Sequence, residues 1–103
     1  MKWPRLEAGA VADATAATER FARISPQLAS EFVDAFARSL EQIAQFPRRF
    51  PRLETNQSEQ EIRRVVMHRF NYVIIYEMFG DAPAVAAVVH ASQQPNSWRT
   101  RRE

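Results

Sequence analysis

Over residues 7–46 the apolar positions recur every three or four residues, and from residue 62 they crowd into short β-branched runs. In the first segment Val11, Ala14, Thr18, Phe21 and Ile24 form one moderately apolar stripe on an alanine-rich helix spanning 7–24. "ISPQLASEF" then reads as a second helix start. Ser25 has the side chain of an N-cap, and Pro26 takes the first helical position, where a missing N–H costs nothing. Leu28, Phe32, Phe36, Leu40 and Ile43 carry the stripe of this helix, widened by Ala29 and Val33, and Pro47 ends it. With almost no linker between them, the two helices are expected to fold as an antiparallel hairpin.

Residues 48–61 are polar, show no period, and read as a connection. "EIRRVVMHRF", "YVIIYEMF" and "AVAAVVH" follow as three strand-like runs, separated by Asn71 and by "GDAP", both of which suit tight turns. The middle run is apolar on both alternating sets except at Glu77, which predicts a central strand. The third run is nearly all Ala and Val, short enough for a helix to pack closely. "KWPRL" at residues 2–6 can add a strand only at an edge, because Pro4 lacks a ladder donor. The expected fold is α+β: a helical hairpin packed on one face of a small antiparallel sheet, with the other face left for function. One domain is expected over 1–103, with an edge segment at 1–6, the hairpin at 7–46, the meander at 62–90 and a tail at 91–103.

Composition narrows the chemistry. The chain has 103 residues and no cysteine, which excludes disulfides and thiolate catalysis. Its two histidines lie far apart in sequence and give a metal site little to build on, so neither metal nor cofactor is expected. No apolar run reaches membrane-spanning length, and "MKWPRLEAGA" lacks the core of a signal peptide, so a cytoplasmic protein is expected. Net charge is only +2, but Lys2 is the sole lysine among 14 basic residues. The arginines cluster as Arg48, Arg49 and Arg52, then Arg63, Arg64 and Arg69, then Arg99, Arg101 and Arg102. Planar guanidinium groups in such patches suit phosphate or carboxylate partners.

Five strings in order resemble the RelE/ParE superfamily, the toxin halves of type II toxin–antitoxin modules. "SPQLASEFVDAFARSLEQIAQFP" is similar to the second helix of that family, and "EIRRVVMHRF" to its Ile-Arg-Arg strand. "RFNYVIIYE" resembles its Arg-Phe-Pro-Tyr hairpin, with Asn71 in the usual proline position. "AVAAVVH" looks like its penultimate strand. "HASQQPNSW" with "RTR" then places His90, Pro95, Trp98 and Arg101 at the family spacing.

The resemblance implies one of two activities. RelE-like members cut messenger RNA on the ribosome, whereas ParE-like members poison DNA gyrase without a comparable nuclease site. The nuclease branch carries an arginine just after the hairpin tyrosine and a basic string after the last histidine. Here those places hold Val73 and the uncharged "ASQQ", Ala91 to Gln94. The remaining catalytic candidates are His90, Arg64, Arg69 and Tyr76; His68 has nothing in the sequence to complete a site around it. Trp98 is expected to fold back over the sheet edge or the hairpin, with Arg101 stacking on an aromatic ring or pairing with a helix carboxylate such as Glu31 or Glu41. Arg63, Arg64, Trp98, Arg99 and Arg101 are the candidates for partner binding. The expected function is therefore that of a ParE-like toxin acting by binding and neutralised by a small antitoxin. A ribosome-dependent endoribonuclease, or an inactive relative that only binds antitoxin, are the alternatives.

Overall fold

The computed structural model describes residues 3–53, 59–93, 98 and 99. In chain order the elements are β1 (Arg5–Leu6), α1 (Ala8–Ile24), α2 (Pro26–Gln45), β2 (Glu61–Met67), β3 (Tyr72–Phe79) and β4 (Ala82–His90). Ser25 serves both helices. Its N–H donates to the Phe21 carbonyl at the end of α1, and its Oγ accepts from the Leu28 N–H at the start of α2. One extended residue is thus enough to reverse the chain.

The strands form a sheet in the order β1-β4-β3-β2. The meander is antiparallel as expected, and β3 is central. The edge strand β1 is real but runs parallel to β4, Arg5 opposite Ala84 and Leu6 opposite Val85, so the sheet is mixed. The long α1–α2 crossover that follows β1 is what permits a parallel neighbour. The first strand of the meander also stops at Met67, short of Phe70. Residues 67–71 turn there, with the Asn71 N–H donating to the Met67 carbonyl and Asn71 itself at φ 59°. Asparagine tolerates that left-handed conformation better than most residues.

The helix side holds the larger core. Phe32, Leu40 and Ile43 of α2 and Ala10 and Ala17 of α1 meet Val65, Met67, Tyr72, Ile74, Tyr76, Met78, Val85 and Val88. Phe21, Phe32, Phe70 and Tyr72 form an aromatic knot, with centroids 5.1–6.0 Å apart for Phe21 to its three neighbours. The α1 stripe read from the sequence is rotated in the structure. Val11 is 50% exposed and Ile24 71%, while the small Ala10 and Ala17 face the sheet. Close approach to the Ala/Val strand β4 selects alanine there over larger side chains. Asp13 also uses that closeness, accepting a hydrogen bond from the Val88 N–H at 2.9 Å and so satisfying a donor on the β4 edge beyond the reach of β1.

Residues 51–53 are not a bare connection. Arg52 bridges Arg63 in antiparallel fashion, and the Leu53 N–H donates to the Ile62 carbonyl at 2.7 Å, covering the free edge of β2. A β-bulge between β3 and β4 sets Ile75 opposite Ala87 and Tyr76 opposite Val85, leaving Ala86 as the extra residue. Ala86 and Ala87 both join a second cluster on the far face with Ile62, Ile75, Val89 and Trp98.

Candidate functional site: the far face of the sheet

Alternation along β2 and β3 decides what the far face presents. Arg64 and Val66 point there from β2, and Val73 and Ile75 from β3, while their neighbours Val65, Met67, Ile74 and Tyr76 enter the helix-side core. At one end of this face Trp98 lies 3% exposed against Ile62, Ile75 and the two alanines, whose short side chains leave room for the indole. Trp98 therefore covers the sheet and not the helical hairpin. At the other end Val66, 42% exposed, Val73, Ile75, Val89, Leu53 and Arg64 border an open hollow of about 160 Å³.

Two of the four catalytic candidates, Arg64 and His90, share this hollow. Arg64 is exposed and makes no ion pair among the described residues. His90 is engaged in shaping the turn after β4. The Ser92 N–H donates to its Nδ1, with Ser92 Oγ at 2.7 Å from the same nitrogen. That makes Nδ1 an acceptor and leaves the ring proton on Nε2. The ring also stands edge-on to Tyr72 at 5.3 Å, and the His90 backbone N–H donates to Gln93 Oε1. The histidine thus ends the strand and pins the turn.

The other two candidates lie elsewhere. Tyr76 is fully buried in the helix-side core, where its hydroxyl donates to the Pro47 carbonyl at 2.7 Å. Burial pushes its phenol up to about 12, far from proton transfer at neutral pH. Arg69 sits over the Phe70 ring at 4.9 Å and forms an ion pair with Glu31, whose carboxyl the Arg69 hydrogen bond holds below its ordinary range. Glu31 is thus already paired from the sheet side, and the expected Arg101 partner lies outside the described residues. His68 is exposed in the turn after β2.

Among the partner-binding candidates, Arg63 is tied into the fold. Its Nε donates to Glu61 at 2.8 Å and its Nη1 to the Phe50 carbonyl. Glu61 also receives Arg48, which reaches on to Asp81 at 2.8 Å and to the Gly80 carbonyl. Hydrogen bonds from Arg63 first, then Arg48, hold the Glu61 carboxyl below its usual range against the opposing effect of burial. Asp81, then Glu61, push the Arg48 guanidinium up in turn. This network clamps the α2 exit to β2 and the β3–β4 hairpin, a structural duty that reading the cluster as a surface patch misses. The alternation of Glu61 and Arg63 on one strand face was the available signal.

Arg99 stands at 5.0 Å over the Trp98 ring. One nitrogen reaches Gln60 Oε1 at 3.5 Å, while Nε and Nη2 are buried with no hydrogen-bond partner among the described residues. Desolvated guanidinium nitrogens without acceptors are costly. Among the described residues no group of three metal-ligating side chains occurs, and no helix is long and apolar enough to cross a membrane.

The far face therefore offers an apolar hollow next to the buried Trp98, with an arginine at its rim that makes no ion pair among the described residues. A search of curated proteins returned no match. The family described as ParE toxin of type II toxin–antitoxin system, parDE, matches residues 5–95, from β1 through the turn after β4. The chain belongs to the ParE toxin family of type II toxin–antitoxin systems.

Proposed function

We propose that the protein arrests growth by binding a protein target, with DNA gyrase the leading one, and that a cognate antitoxin neutralises it at the far face of the sheet. The observation that carries this reading is the chemistry of that face. Val73 lines the hollow where the resemblance to the nuclease branch calls for an arginine, and Val66, Ile75 and Val89 surround it with apolar surface. A scissile phosphate is stabilised by several converging cations and a free acid or base. Among the described residues Arg64 is the only arginine or lysine lining the hollow, and His90 Nδ1 is already occupied by Ser92.

The same surface suits a peptide segment with apolar side chains flanked by carboxylates. Apolar groups fill the hollow, and a flanking carboxylate meets Arg64. A disordered acidic antitoxin segment that orders on binding has that chemistry. The test is a gyrase supercoiling assay with purified toxin, run beside mapping of transcript 5′ ends after induction. Inhibited supercoiling with intact transcripts supports the proposal. New transcript ends that vanish in His90→Ala/Arg64→Ala would favour the endoribonuclease instead.

A further inference from the structure

A second hollow, of about 230 Å³, opens between α2 and the β2–β3 turn, and its chemistry differs from that of the far face. Arg38, Ser39 and Gln42 border it from α2, and His68 and Arg69 from the turn, above a floor that includes Phe70. No carboxylate is among its described lining residues. Arg38 is exposed and makes no ion pair among the described residues. The Arg69 guanidinium lies 4.9 Å over the Phe70 ring, and its bond to Glu31 uses Nη2, so Nε and Nη1 have no side-chain partner among the described residues.

We propose that this hollow binds a phosphate group, carried by a nucleotide or by a polynucleotide backbone. Two guanidinium forks on opposite walls, with an imidazole beside them, can donate from several directions at once. A tetrahedral phosphate presents oxygens in three dimensions to donors on both walls, whereas a planar carboxylate presents its lone pairs in one plane. The floor residues Met67 and Phe70 are buried at 6% and 7% exposure, which leaves little apolar surface there for a peptide side chain. Glu31 acts as the internal competitor, engaging Arg69 until a phosphate takes over part of its donor set. The site binds and does not cut, which is compatible with a toxin that acts without nuclease chemistry.

The test is an amide-resolved NMR titration of the full chain with inorganic phosphate, a nucleoside monophosphate and a short single-stranded oligonucleotide. Saturable shifts at Arg38, Ser39, His68 and Arg69 are expected. Comparable affinity for the monophosphate and the oligonucleotide assigns a nucleotide; tighter oligonucleotide binding assigns a backbone. Arg38→Gln should weaken binding about tenfold and lower the oligonucleotide salt slope by about 1. Glu31→Gln should tighten binding about threefold by releasing Arg69. The controls carry the same charge changes away from the hollow, Arg5→Gln on the opposite edge strand and Glu59→Gln just ahead of β2. Each variant is checked for an unchanged thermal midpoint, and Arg38 is exposed enough to tolerate the change. The proposal fails if no ligand moves those amides saturably. It also fails if the controls match their test variants, or if polyglutamate binds the hollow as tightly as the oligonucleotide.

Discussion

Replacing Trp98 with alanine probes how firmly the tail is seated on the sheet. The indole is 3% exposed and packs on Ile62, Ile75, Ala86, Ala87 and Val89. Burying about 150–250 Å² of aromatic surface at about 25 cal/mol/Å² gives about 4–6 kcal/mol as an upper bound. Large-to-small core changes of this kind cost about 3–5 kcal/mol. Part of that cost is offset because the alanine variant no longer pays to order the large indole. The expected loss is about 3 kcal/mol, a large share of the ~5–15 kcal/mol typical of folded domains. For a chain of this size that lowers the thermal midpoint by more than about 12 °C. Far-UV circular dichroism during urea and thermal unfolding measures it without relying on tryptophan emission. Trp3→Ala is the matched control, because Trp3 is 55% exposed and should cost no more than about 0.5 kcal/mol. A Trp98→Ala loss below about 1 kcal/mol, or one equal to that of Trp3→Ala, refutes the seated tail.

Tyr76→Phe removes the hydrogen bond to Pro47 and should cost about 1 kcal/mol in urea unfolding, while leaving toxicity intact at permissive temperature. In the parent protein the Tyr76 phenol is raised to about 12, so the native state holds its proton longer than the unfolded chain does. Stability should therefore fall as pH rises from about 10 to 12, and less steeply in the phenylalanine variant. Glu61→Gln weakens the clamp formed with Arg63 and Arg48 and should cost about 1–2 kcal/mol at neutral pH. Because the native Glu61 pKa is lowered, that difference is present above the ordinary carboxyl pKa and shrinks as acid protonates the native carboxyl. Paired acid-unfolding curves test the sign. Arg64→Glu should weaken antitoxin association at least about tenfold in a calorimetric titration, while Arg49→Glu, an arginine outside the far-face hollow, changes it little.

Much of the fold was legible because its signals are local. Ser25-Pro26 and Pro47 bracket α2, and Asn71 and "GDAP" punctuate the meander. What escaped depends on tertiary context. Nothing in "KWPRL" encodes its direction, since a parallel pairing with β4 follows from the helical crossover between them. The α1 stripe misassigned Val11 and Ile24 because hydropathy ranks them above alanine, while the spacing against β4 favours Ala10 and Ala17. The same blindness affected the site. Tyr76 is a candidate by residue type alone, and no local pattern encodes the Pro47 carbonyl that takes its hydroxyl. Trp98 is legible as a closing residue, but the bulge at Ala86 in the strand it clusters with leaves no mark in sequence. Arg48 and Arg63 looked like a patch because their carboxylates, Glu61 and Asp81, sit on two different hairpins.

The most direct test of the central claim is induction of the chain in growing cells, alone and together with a short antitoxin reading frame adjacent to its gene. Growth and viability, a DNA-damage reporter and transcript 5′ ends are followed in the same cultures. The account predicts arrest with the damage response switched on, transcripts uncut, and full rescue by the antitoxin. Arrest with newly cleaved transcripts and a silent damage reporter would contradict it, as would undiminished growth on strong induction without the antitoxin.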